Sequence, residues 1–168
     1  MNDSKRMPLP AQLVWRDWGH WLAFGFGVGL LRWAPGTWGT LLAFPSMQLL
    51  WAYASTMVIG FILTGATVFG VALCQRTGRA LGIPDHHGIV WDEIVAFGWV
   101  LWVVGPGRPA LAVLAFLLFR GFDIFKPPPI HWVDQRWQNG FGVMLDDLVA
   151  ALYTLLALAI IVLVHQRW

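Results

Sequence analysis

The chain has 168 residues, of which 58% are hydrophobic and 12% are charged, against about 25% charged in an ordinary soluble domain. That balance argues against a free-standing soluble protein, and eleven Lys and Arg against nine Asp and Glu, a net +2, give no basic surface for a nucleic-acid partner. A single cysteine, Cys74, excludes a disulfide framework and a cysteine-rich metal site; it sits in an apolar run and reads as a small buried hydrophobe.

The N-terminal stretch Met1 to His20 is polar and mixed. It lacks the charged start, apolar core and small-residue cleavage site of a signal peptide, so no cleaved leader is expected and residues 1–168 read as one domain. Leu22 to Leu31, with Gly25, Gly27 and Gly29, is too short to span and is expected at a membrane interface or re-entering it. The turn Ala34-Pro35-Gly36-Thr37-Trp38-Gly39-Thr40 offers free N–H groups and the hydroxyls of Thr37 and Thr40. Such a turn can hold a phosphate at a helix N-terminus. The plain alternative is an entry turn with Thr40 as N-cap, since no Gly-Lys-Ser or Gly-Lys-Thr follows.

From Trp33 to Gln75 there is no Asp, Glu, Lys, Arg or His, a length worth about 65 Å of helix. Two crossings of a hydrocarbon core roughly 30 Å thick fit within it. Pro45 and the pair Ser55, Thr56 divide it into spans near 40–54 and 57–74. Ile94 to Val104, then Gly105-Pro106-Gly107-Arg108-Pro109, then Ala110 to Phe119 read as a tight helical hairpin, short in each arm and so thin or partly inserted. Leu148 to Val164 is a last span at the lower limit of length.

Paired crossings bring the N-terminus, 76–93 and 120–147 to one side. Nine of the eleven basic residues fall there, with Arg108 and Arg167 opposite, and the positive-inside rule makes that side cytoplasmic. Seven of the nine acids lie between Asp85 and Asp147. Carboxylates crowded at a membrane boundary need water, a counter-ion or a bound cation, and a hard ion such as Mg²⁺ takes carboxylates, waters and phosphate oxygens together. The plain alternative makes them solubility charges flanking helices.

Asp92-Glu93 opens the third apolar segment and Asp146-Asp147 the last. One acid per helix start is explained by the dipole, with Asp146 a possible N-cap. Doubled acids repel and point about 100° apart, one inward and one toward solvent, so at least one of each pair is assigned to a metal or to water. Asp85, seven residues before Asp92, shares its face if the helix extends back through Gly88. Arg120, Asp123 and Lys126 form a stripe ahead of Pro127-Pro128-Pro129, either as local salt bridges or as a metal ligand flanked by two phosphate-binding cations. His86, His87 and His131 are further acid-base candidates, more simply read as surface histidines.

Together these strings resemble the phosphatidylglycerophosphatase A family of Mg²⁺-dependent membrane enzymes. The likeness rests on Gly25-Phe26-Gly27-Val28-Gly29 with the Ala34 to Thr40 turn, Asp85 with Ile89-Val90-Trp91-Asp92-Glu93, and Phe119 through Pro127. It continues through Pro129-Ile130, Asp134 and Gly140 through Asp147. Asn139 and Ala96 stand where relatives tend to have glycine. The resemblance implies a polytopic all-α bundle in the bacterial inner membrane, with short re-entrant or interfacial helices and a cytoplasmic-side acidic site. It implies hydrolysis of phosphatidylglycerophosphate, a lipid substrate, to phosphatidylglycerol. The family's acidic signature falls on Asp85, Asp92, Glu93, Asp123, Asp134, Asp146 and Asp147.

On that reading Mg²⁺ is held by some of Asp92, Glu93, Asp123, Asp146 and Asp147, with Asp85 a further catalytic acid and Asp134 in support. Thr37, Thr40, Arg120 and Lys126 attend the phosphate, and a metal-activated water attacks. No Cys-x5-Arg or Asp-x-Asp nucleophile motif is present. The competing class is a non-enzymatic cation carrier or scaffold, whose acids belong near mid-span rather than at segment ends.

Overall fold

The computed structural model describes residues 10–128 and 130–165, with the side chains of Pro10, Val133 and Asp134 outside the description. Among the described residues every regular element is helical: α1 (Pro10–Arg16), α2 (Trp18–Ala23), a 3₁₀ turn (Val28–Leu30), α3 (Pro35–Tyr53), α4 (Thr56–Leu81), α5 (Trp91–Val104), α6 (Pro109–Phe125), α7 (Ile130–Arg136) and α8 (Gly140–His165).

The least interrupted apolar helix takes the centre. α5 packs against α3, α4, α6 and α8, and Phe97, Val100 and Leu101 are fully or almost fully buried. Phe97 meets Phe44 of α3 edge-on at 5.4 Å and Phe116 of α6 at 6.0 Å, a geometry that sets ring edges against ring faces. On the α4 side the indole N–H of Trp91 donates to the Ala66 carbonyl and that of Trp102 to the Thr56 carbonyl, each at 3.1 Å. α4 and α5 therefore run antiparallel.

Among the described residues two helices, α4 and α8, are long and apolar enough to cross a membrane. Large apolar side chains point outward along them, among them Phe61 and Val68 on α4 and Leu156, Ile160 and Leu163 on α8. Helix hydroxyls bond inward to their own backbone: Thr64 and Thr67 donate to Gly60 and Leu63, and Thr154 to Ala150. These three hydroxyls are thereby satisfied within the helices, as an apolar surrounding requires. At the other end of α4, Asp17 pairs with Arg76 at 2.5 Å and His20 Nδ1 meets the Thr77 hydroxyl at 2.9 Å, fixing α1 and α2 to the bundle.

The hairpin punctuation falls where expected, between Val104 and Pro109. Other boundaries differ from the sequence reading. α3 begins at Pro35 and passes through Pro45, so Thr40 is inside the helix and donates to the Gly36 carbonyl at 2.8 Å instead of capping. α8 begins eight residues before Leu148, and Asp146 lies in its second turn. Asn139 is the cap, its Oδ1 accepting the Phe141 and Gly142 N–H groups at 3.1 and 3.0 Å. α5 does not extend back to Asp85, because residues 82–90 form a turn in which the Gly88 carbonyl lies so close to Gly29 that no Cβ fits there.

Candidate active site

The starts of α3, α5 and α8 and the end of α6 converge on one cavity of about 250 Å³. Its wall takes Ala34, Pro35 and Gly36 from the α3 turn, Asp85, His87 and Ile89 from the 82–90 turn, and Asp92 and Glu93 from α5. α6 and its end contribute Arg120, Asp123 and Lys126, and α8 contributes Asp146 and Asp147. Six carboxylates separated by up to 62 positions in the chain thus share one small space.

Asp92 and Glu93 both enter the cavity, contrary to the expectation that one faces solvent; α5 is surrounded on all sides at its first turn, so 100° of rotation still leads inward. Asp92, Glu93 and Asp147 each present a ligand oxygen within 4.8 Å of the others. Opposite ligands of an octahedral Mg²⁺ stand about 4.2 Å apart, so the donor set fits a hard divalent cation with small side-chain rotations. Asp92 Oδ1, Glu93 Oε2 and Asp147 Oδ2 are buried without a hydrogen-bond partner. Carboxyl groups also abut in pairs, Asp92 with Glu93 and Asp123 with Asp147. Two carboxylates in contact repel unless a proton or a cation lies between them.

The cations divide by task. Arg120 Nη1 pairs with Asp123 at 2.5 Å, reaches Glu93 at 3.8 Å and donates to Thr40 Oγ1 at 3.4 Å. It is committed inward, holding two acids at fixed positions. Lys126 Nζ binds Asp146 Oδ2 at 2.7 Å, with about a quarter of its side chain exposed. Its backbone is left-handed at φ 41°, as is that of Ala34 at φ 46° on the opposite rim. Non-glycine residues held there carry strain of about 1–3 kcal/mol and cluster at functional sites.

Thr40 is fully buried and spends its hydroxyl on Gly36 and Arg120; neither it nor Thr37 is on the cavity wall. Asp134 lies on α7, with its side chain outside the described residues. Burial and then the adjacent His87 keep the His86 imidazole below its usual range, so its Nδ1 accepts the Gly88 N–H at 3.0 Å and fixes the turn carrying Asp85. His131 meets Gln135 at 2.9 Å, away from the cavity. Sequence reasoning missed Gly36. A Cβ there would collide with the Glu93 carboxylate; the glycine-rich turn signalled a close approach, but to a side chain of the protein itself.

Residues 21–162 match the family described as Phosphatidylglycerophosphatase A. The chain is 40% identical over 149 residues to Phosphatidylglycerophosphatase A of Haemophilus influenzae, covering 89% of each protein. It is 35% identical over 150 residues to the Escherichia coli protein of that name, covering 89% of this chain and 84% of that one. A Bacteroides thetaiotaomicron protein named putative phosphatidylinositol-3-phosphatase is 32% identical over 157 residues, covering 86% of this chain and 90% of its own length. No solved structure matches.

Proposed function

Because the chain belongs to the phosphatidylglycerophosphatase A family, we propose that it hydrolyses the terminal phosphomonoester of phosphatidylglycerophosphate, releasing phosphatidylglycerol and inorganic phosphate. The observation that carries this reading is the meeting, in one cavity, of three partnerless carboxylate oxygens with a lysine at the rim.

Asp92, Glu93 and Asp147 would hold Mg²⁺, with Asp123 and Asp146 beside them. Such an ion would supply charge neutralisation for the phosphate oxygens and lower the pKa of water toward neutrality. Asp85 and Asp123 are wall carboxylates outside the three-oxygen cluster, and one of them takes the proton from water. Arg120 fixes Glu93 and Asp123, while Lys126 reaches the phosphate by exchanging Asp146 for a substrate oxygen. Glu93 enters from α5 and Asp123 from α6, so the α5–α6 hairpin sets their separation.

The setting we propose is the bacterial inner membrane, with the chain crossing several times and the cavity on the cytoplasmic side. The outward apolar faces of α4 and α8 support it, as does the gathering at the cavity end of seven of the eight Lys and Arg among the described residues, Arg108 alone lying at the far hairpin. Acids at helix ends rather than mid-span disfavour a cation carrier.

The test is phosphate release by the purified chain from vesicles containing phosphatidylglycerophosphate. Release is expected to stop with a chelator and to return with Mg²⁺. Release indifferent to the metal, or none from well-folded protein, defeats the reading.

A further inference from the structure

A second cavity, of about 320 Å³, adjoins the first on its α7–α8 side, and Asp85 stands in the wall of both. Its other walls are of a different kind. Gln135 and Gln138 bring side-chain amides, the Trp137 ring stands edge-on to Phe141 at 5.6 Å, and Ile83 lies half exposed at the rim. Among the described residues no Lys or Arg lines it. The amides and the Asp85 carboxylate stand beside apolar surface from Ile83, Pro84, Val143 and Trp137, a mixed lining that suits neither a phosphate, which needs a cation, nor an acyl chain, which leaves the amides unpaired. It suits a polyol, whose hydroxyls bond to amides and carboxylates while its C–H face lies on the indole.

We propose that this cavity is a polyol subsite which receives the glycerol unit esterified to the departing phosphate, Asp85 accepting its free hydroxyl at the junction. The proposal rests on the phosphatase reading above and deepens it: the acid cavity takes the phosphomonoester, and the neighbouring cavity decides what the phosphate is attached to. A subsite built to hydrogen-bond a hydroxyl rejects a substrate that lacks one, because its polar groups are then left unpaired.

Two soluble inhibitors of the lipid reaction separate the parts. Glycerol 3-phosphate carries both phosphate and hydroxyls; ethyl phosphate carries the same monoester without them. For the unaltered chain, glycerol 3-phosphate is expected to inhibit phosphatidylglycerophosphate hydrolysis at about tenfold lower concentration. Gln138→Leu and, separately, Trp137→Leu should bring the two inhibitors to the same concentration, leave ethyl phosphate where it was and raise KM for the lipid. Equal inhibition of the unaltered chain, or a preference that survives both substitutions, overturns the subsite while the phosphatase reading stands. Should both variants fail to fold, the comparison on the unaltered chain decides alone. No phosphate release from the unaltered chain defeats the phosphatase reading, and the subsite with it.

Discussion

Replacing Asp147 by asparagine is expected to abolish phosphate release and, in metal-free buffer, to raise the melting temperature of the protein. The two effects share a cause. Asp147 is 4% exposed, its Oδ2 has no partner, and it abuts the carboxyl of Asp123. A buried polar group left unsatisfied costs about 1–3 kcal/mol, and an amide in its place donates to the neighbouring carboxylate that now repels it. For a chain of this size each kcal/mol moves the melting temperature by roughly 2–4 °C. Catalysis should fall by at least about 100-fold, since one of the three carboxylates proposed to hold the cation becomes neutral. Asp146→Asn is the contrast, because that carboxylate binds Lys126 and accepts the Asp147 N–H at 3.0 Å; its loss should lower the melting temperature. Thermal melts in chelator beside activity with Mg²⁺ check both. Normal turnover in Asp147→Asn removes that residue from the site, and a lower melting temperature makes it a structural acid.

Gly36→Ala is expected to be nearly as damaging, although it adds one methyl group and no charge. Gly36 is buried in the first turn of α3, where a Cβ would strike Glu93 Oε1 and stand 3.3 Å from Arg120 Nη1. Either α3 backs away or Glu93 turns out of the cluster. A displacement near 1 Å in such a site costs about 100-fold in rate. Gly121 provides the control, since it follows Arg120, is helical, and has no atom within 4 Å of a built Cβ. Gly121→Ala should leave kcat/KM unaltered and stabilise by up to about 1 kcal/mol through helix propensity. Activity of Gly36→Ala within a factor of two of the unaltered chain would show that the α3 turn does not position Glu93.

Charge placement made the site legible. Doubled acids at segment starts, with Arg120, Asp123 and Lys126 at a segment end, marked the residues that the structure brings to one cavity. The hairpin was equally clear, because Gly105 through Pro109 interrupts two apolar runs on both sides. Helix starts were not. Hydropathy places the start of the last span after Asp147, since a charge counts against a span wherever it points, whereas α8 carries Asp146 and Asp147 inward. Thr40 illustrates a second limit. A hydroxyl near a helix start has the same local sequence whether it caps, binds a ligand or bonds back to the i−4 carbonyl, and the choice came from Arg120, 80 positions away. The stripe of Arg120, Asp123 and Lys126 was half right for a similar reason: α6 ends at Phe125, so Lys126 leaves the helix and pairs across to Asp146.

α5 has only 14 residues, while its neighbours α4 and α8 have 26 each. At 1.5 Å per residue the central helix covers about 21 Å, some 9 Å less than a typical hydrocarbon core. α4 begins at Thr56, whose carbonyl accepts the Trp102 N–H, so its extra length lies toward the cavity and its far end is level with the close of α5. Hydrophobic mismatch of this kind is relieved by thinning of the surrounding leaflet or by an indentation that polar headgroups fill, at fractions of a kcal/mol per ångström. In the proposed membrane setting, the host bilayer's thickness becomes a physical variable of this protein, with short-chain lipids favoured around its distal face.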